Sequence, residues 1–227
     1  MTLPEGEPAA GPWHVAPVAE LVALVLGPAG DAPRARPRVV AVDGRSAGGK
    51  SALADVLRDA VPRSAVVHTD DVAWHHSFFD WADLLRANVL EPVRRGQGVR
   101  YRPPGWVRKE RPGAVEVPAG LDLVVVEGVG AGRRELTAVV DAVVWVQSDA
   151  VEAKRRGIDR DVATGVNGGA AEAVAFWHEW MAQELPFQAE QRPWERACVV
   201  VAGTPPLPPG PGQVFLAPPP ARTSPSG

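Results

Sequence analysis

One stretch constrains the fold more than any other. The apolar run Val39, Val40, Ala41, Val42 leads through Asp43 into Gly44, Arg45, Ser46, Ala47, Gly48, Gly49, Lys50 and Ser51. A helix-like run follows directly: Ala52, Leu53, Ala54, Asp55, Val56, Leu57. The pattern G-x-x-x-x-G-K-[ST] therefore stands between a predicted strand and a predicted helix, which is the context it needs. Glycines let the backbone curl so that successive N–H groups face inward, toward phosphate oxygens. The helix that follows adds free N–H groups and the positive end of its dipole. In such a loop Lys50 reaches the β- and γ-phosphates and the Ser51 hydroxyl binds Mg²⁺. The competing account is a glycine-rich turn with an incidental Lys-Ser pair. The flanking strand and helix count against it, and so does the scarcity of lysine, found at Lys50, Lys109 and Lys154 alone.

The rest of the chain supplies more elements of the same kind. A helix is expected from Pro17 to Leu26, with Val18, Leu21, Val22 and Val25 on one face. Residues 1–12 read as mobile, and 28–37 as a Pro/Arg linker. Apolar strands are expected at 38–43, 65–68, 121–126, 142–146 and 197–201. Helices are expected at 50–60, 81–95 with a bend near Pro92, 134–140, 151–160 and 172–184, the last stopping at Pro186. Two short strands, 99–102 and 115–117, flank a Pro/Gly-rich loop. The tail from Thr204 is so rich in Pro and Gly that no packed structure is expected. Strands alternating with helices predict a parallel sheet covered on both faces. Its ligand edge lies at the strand C-terminal ends.

That edge should gather the polar residues that follow the strands. Asp70 and Asp71 end the second strand. There a carboxylate either binds Mg²⁺ through water, accepts a proton from an attacking hydroxyl, or simply caps the next turn. Glu127 ends the run Val124, Val125, Val126. It reads as a second Mg²⁺-organising carboxylate or as a charge at a helix N-terminus. Arg156 and Arg160 are spaced i, i+4 and share a helix face. They serve either a phosphate-neutralising lid or a solvated face paired with Glu152 and Asp159. His68, His75 and His76 have no spacing that closes a tetrahedral metal site. The aromatics from Trp74 to Trp81 read mainly as core, with some placed to stack on a planar acceptor.

Composition narrows the partners. A net charge of -3 across 227 residues argues against a nucleic-acid binder. The single cysteine, Cys198, rules out a disulfide framework and suits a reducing cytoplasm. No signal peptide is visible, and the apolar run at 21–26 is too short to span a bilayer.

With these landmarks in place, the chain resembles the uridine kinase-like branch of the P-loop kinases, a group that includes phosphoribulokinase and bacterial pantothenate kinase. The resemblance covers about residues 38–202. It rests on the phosphate loop, on Thr69-Asp70-Asp71, on the 99–117 excursion, on Val125-Val126-Glu127-Gly128, and on Arg155-Arg156 through Arg160-Asp161. It implies a three-layer P-loop NTPase fold, nucleoside-monophosphate-kinase-like, with a five-stranded parallel sheet, a β-hairpin excursion at 98–118 and a short lid at 155–172. That domain, 38–203, would follow an N-terminal segment, 1–37, and precede a disordered tail, 204–227.

The same resemblance implies ATP and Mg²⁺ as cofactors. It makes Asp70 the general base, assigns Lys50 and Ser51 to ATP·Mg²⁺, and places Arg156 and Arg160 in the lid. The family's hairpin commonly carries Tyr-Asp, an aromatic and a nearby His; here the matching place reads Pro104-Gly105-Trp106. Where uridine kinases have an aromatic pair, this chain has Val72-Ala73-Trp74. Asp80, Asp83, Tyr101 and Trp74 are the candidate acceptor contacts. The expected activity is phosphoryl transfer from ATP to a hydroxyl of a small molecule, a uridine- or cytidine-like nucleoside first. Pantothenate or a sugar is the alternative acceptor, and a regulatory or degenerate P-loop protein the alternative role. A GTPase-like switch is disfavoured because no Asn-Lys-x-Asp segment is present; the fourth strand ends Val146-Gln147-Ser148-Asp149.

Overall fold

The computed structural model describes residues 1–27 and 35–220. Most of the linker expected at 28–37, and the last seven residues of the tail, lie outside the described residues. In chain order the elements are β1 (His14–Pro17), α1 (Val18–Leu26), β2 (Arg38–Gly44), α2 (Lys50–Ala60), β3 (Ser64–His68) and α3 (Thr69–Ala73). Next come α4 (Ala82–Leu85), a π-type turn (Arg86–Leu90), α5 (Glu91–Arg94), β4 (Val99–Tyr101), α6 (Pro104–Arg108) and β5 (Val115–Val117). The chain continues with β6 (Leu123–Glu127), a 3₁₀ turn (Arg134–Leu136), β7 (Ala142–Gln147), α7 (Ala150–Thr164) and α8 (Ala170–Gln191). A second 3₁₀ turn (Pro193–Glu195) precedes β8 (Val199–Ala202) and β9 (Gln213–Ala217).

The sheet has seven strands in the order β1-β9-β8-β7-β2-β6-β3. The five expected strands form its parallel part, with β2 between β6 and β7. Each is apolar on both faces because helices cover both. Val39 and Ala41 of β2 enter the core that holds Trp81, Leu85 and Trp145, whereas Val40 and Val42 pack with Leu21, Val25, Leu53 and Leu57. Helices α1 and α2 lie on the second face; α4, α5 and the β4–β5 hairpin lie on the first.

Three expectations need correction. The sheet is wider than five strands, because β1 and β9 add antiparallel edges. Both are short and flanked by Pro, so neither leaves a periodic signal; β9 comes from the tail expected to be unpacked. Residues 1–12 are not wholly loose, since Glu7 is buried. Helix α8 does not stop at Pro186 but runs through it to Gln191. The hydrogen bond lost at Pro186 is offset by tertiary packing: Phe187 stacks on Phe79 with centroids 4.2 Å apart, and Gln191 accepts from the Arg134 N–H. Among the described residues, no helix is long and apolar enough to cross a membrane.

At the edge of the sheet opposite the loop, Asp141 precedes β7. It accepts two bonds from Arg36, at 2.7 and 2.8 Å, one from Arg94 at 3.1 Å and one from the Val39 N–H at 2.9 Å. Burial pushes this carboxyl up, but these donors more than offset it and hold it at about 2. A depressed carboxyl contributes stability that is present above its unfolded pKa of ~3.9 and is lost as pH falls through the folded value. Asp141→Asn is therefore expected to cost roughly 1–2 kcal/mol at neutral pH, after discounting for the solvent that screens Arg36 and Arg94. In denaturant titrations the gap to wild type should close as pH approaches about 2; a gap independent of pH would contradict this assignment.

Candidate active site

The phosphate loop joins β2 to α2 by a tight backbone path. Gly44 passes against β7 so closely that a Cβ there would lie 2.6 Å from the Val146 carbonyl oxygen. Gly49 takes φ +98 at the start of α2, a left-handed conformation that side chains disfavour. Ala47 is also left-handed, with φ 55, and holds strain at the loop's bend. Helix α2 begins with no side-chain cap, so its first N–H groups are left to a ligand. The buried Lys50 ammonium donates back to the Arg45 carbonyl at 2.8 Å.

Asp43, absent from the candidates named from sequence, secures the loop from beneath. It is fully buried and accepts from the N–H groups of Gly44 at 2.7 Å, Gly130 at 2.9 Å and Gly132 at 2.9 Å. Burial pushes its carboxyl up, and the three N–H donors and Lys50 offset that push only in part. A protonated carboxyl would direct a donor into a pocket of donors, so the anion is the form that fits. Asp43 thereby ties the end of β2 to the segment after β6, which carries Glu127.

Ser51 donates its hydroxyl to Glu127 Oε1 at 2.7 Å. The other carboxylate oxygen of Glu127, Oε2, is buried and has no hydrogen-bond partner. Burial raises the Glu127 carboxyl, but the nearby His68, Lys50 and the Ser51 hydroxyl outweigh it, and the net shift is downward. A negative, incompletely satisfied oxygen beside the Ser51 hydroxyl suits a hard divalent cation that keeps most of its water. Asp70 stands in the first turn of α3 and lines the cleft beside Glu127. Its side chain is open to the cleft's solvent yet enclosed by the surrounding walls. That enclosure pushes its carboxyl up and Glu127 adds to the effect, while Lys50, Arg160 and His68 oppose it.

The loop, Asp70 and Glu127 share one cleft of about 890 Å³ with Arg156, Arg160 and an aromatic wall. Arg156 donates to Glu152 at 2.9 Å and to the Gly203 carbonyl at 3.0 Å; Arg160 pairs with Asp161 at 2.8 Å. The solvated pairing with Glu152 and Asp159 belongs chiefly to Arg155. The wall is built by Trp74, His75, Phe78, Phe176 and Trp180, with Phe78 and Trp180 centroids 4.8 Å apart. Phe176 and Trp180 come from α8, whose weak apolar periodicity did not mark them as cleft residues.

Of the candidate acceptor contacts, Trp74 alone lines this cleft. Asp83 is 88% exposed and paired with Arg86, so it faces solvent. Asp80 is exposed, its backbone engaged with His76 and Ser77. Tyr101 packs on the core beneath the hairpin. The family resemblance made these residues candidates for the cleft; the turn at 74–81 and the hairpin carry them away from it. Among the histidines, His68 lies 3.7 Å from Glu127 and His75 stacks edge-on against Trp74.

No protein-family model and no curated protein matches this chain. Solved structures do resemble it. A candidate fructose transport system kinase from Silicibacter sp. TM1040 is 20% identical over 77% of this chain and 92% of that one, with a TM-score of 0.54. A candidate uridine kinase from Bacillus stearothermophilus is 18% identical over 81% and 96%, with a TM-score of 0.45. D-glycerate 3-kinase from Cryptococcus neoformans is 13% identical over 82% and 92%, with a TM-score of 0.48. At these identities the likeness, carried by the first of the three, establishes the fold: a P-loop kinase fold.

Asp43→Asn replaces an acceptor of three N–H bonds by a group that brings its own donors into the same pocket. It is expected to lower stability by roughly 2–4 kcal/mol and to weaken binding at the loop that Asp43 holds. Urea unfolding and ATP titration check both; a variant with wild-type stability would remove Asp43 from this role.

Proposed function

We propose that this protein is an ATP-dependent phosphotransferase that moves the γ-phosphoryl group to a hydroxyl of an uncharged small molecule with a planar face, a nucleoside of the uridine or cytidine kind first. The observation that carries this reading is the division of a single cleft. One side holds the phosphate loop, Lys50, Asp70, Glu127, Arg156 and Arg160. The other is the aromatic wall, which adds no lysine or arginine among the described residues lining the cleft and has the His75 imidazole as its one basic group. An acceptor with a carboxylate or phosphate would need a cation there, which disfavours pantothenate and phosphorylated sugars. A bare sugar would leave the aromatic faces poorly used, whereas a nucleobase stacks on them.

In this reading the loop's N–H groups bind the phosphates and Lys50 turns from the Arg45 carbonyl to the β- and γ-oxygens. Ser51 and Glu127 would hold Mg²⁺, which when bound would supply positive charge beside the phosphates. Asp70 accepts the proton of the acceptor hydroxyl, and the cleft's upward push on its carboxyl strengthens it as a base. Arg156 and Arg160 project from α7 to stabilise the charge that develops on the transferring group. The protein's work is positioning and electrostatics, with no covalent step of its own.

With uridine, cytidine, pantothenate and simple sugars offered as acceptors, ATP consumption is expected with the nucleosides. Asp70→Asn should lower that turnover by about 10²–10⁴-fold while ATP affinity stays near wild type. Turnover that survives the substitution would remove Asp70 as the base. Consumption restricted to charged acceptors would overturn the acceptor assignment.

A further inference from the structure

The phosphate loop is held from its flank by a second buried carboxylate, which comes from the helix that builds the aromatic wall. Glu184 of α8 is fully buried. Its carboxylate accepts from the Ser46 N–H of the loop at 3.2 and 3.3 Å and from the Trp180 indole N–H at 2.5 Å. It also lies 3.9 Å from Arg45 Nη1. Arg45, in the loop and itself buried, donates to Glu7 Oε2 at 2.6 Å, and Glu7 Oε1 accepts from Trp145 and Gln147. Two buried carboxylates thus share one guanidinium, and Arg45 Nη1 has no hydrogen-bond partner. A buried carboxylate with so small a share of a cation depends heavily on its neutral donors. Those donors are one N–H of the loop and one N–H of the aromatic wall.

We propose that Glu184 is a positioning residue for the phosphate loop, and that through Trp180 it transmits the placement of the cleft's aromatic wall to the nucleotide side. The inference rests on the nucleotide-binding reading above. A shift of the Trp180 ring, which packs edge-on against Phe78 in the wall, changes the donors left to Glu184 and therefore its hold on Ser46. The acceptor half and the donor half of the cleft then share one carboxylate, and their occupancies are linked.

ATP binding, measured by calorimetry on the full chain with Mg²⁺, tests this without any acceptor. Trp180→Phe keeps the ring and removes the N–H; Glu184→Gln removes the charge. Each is expected to weaken ATP affinity about tenfold, and the double variant to be no weaker than Glu184→Gln alone, because both act through one bond. Asp141→Asn supplies the comparison: it lowers the thermal midpoint at the far edge of the sheet and leaves ATP affinity unchanged. If Glu184→Gln fails to fold, Trp180→Phe alone decides. ATP affinity within twofold of wild type in Trp180→Phe, or strictly additive losses in the double variant, overturns the proposal. A wild-type protein that binds no ATP overturns the nucleotide reading itself, a separate outcome.

Discussion

Three backbone N–H groups converge on the buried carboxylate of Asp43, and the arrangement of the cleft depends on that convergence. A phosphate loop must curl so that its own N–H groups remain free for a ligand, which means its stability comes from somewhere other than those groups. Asp43 supplies it from below by joining Gly44 to Gly130 and Gly132. The same bonds fix the start of the segment after β6, so Glu127 stands within hydrogen-bond distance of Ser51. Glu184 and Glu7 act on the flank through Ser46 and Arg45. The loop is therefore set in a ring of buried carboxylates, each matched to donors of the loop and its neighbours.

This ring explains how a negatively lined neighbourhood is suited to an anionic ligand. The carboxylates of Asp43, Glu7 and Glu184 spend their charge on buried N–H groups and Arg45. Lys50 and the uncapped start of α2 face the cleft, which Arg156 and Arg160 of α7 also line. Glu127 is the exception: one of its oxygens is buried without a hydrogen-bond partner, and in the proposed reading that oxygen serves a cation. In the proposed reading the aromatic wall, with no lysine or arginine in the cleft lining on its side, favours an uncharged second ligand.

The parallel core was legible because its strands are continuous apolar runs and its loop has an invariant chemical requirement at fixed spacing. The placement of Asp70, Glu127 and Arg156 along one cleft was legible from strand ends and an i, i+4 repeat. The edge strands β1 and β9 were not, since four or five residues beside prolines carry too little period. Helix α8 was cut short at Pro186, because a lost backbone bond is visible in sequence while the packing of Phe187 and Gln191 that offsets it is not. Asp43, Glu7 and Glu184 were missed as a group. Their partners are backbone N–H groups or residues far along the chain, with Glu184 bonded across 138 positions to Ser46, and no spacing rule reaches that far.

In the proposed mechanism Ser51 and Glu127 complete a cation-assisted nucleotide site on the loop. Titration of ATP into the protein with and without Mg²⁺ tests it most directly, read alongside Glu127→Gln. The account predicts that Mg²⁺ tightens ATP binding to the wild type by about tenfold or more, and that Glu127→Gln retains the Mg²⁺-free affinity but loses that gain. Equal ATP affinity with and without Mg²⁺ in the wild type, or a full Mg²⁺ effect in Glu127→Gln, would contradict it.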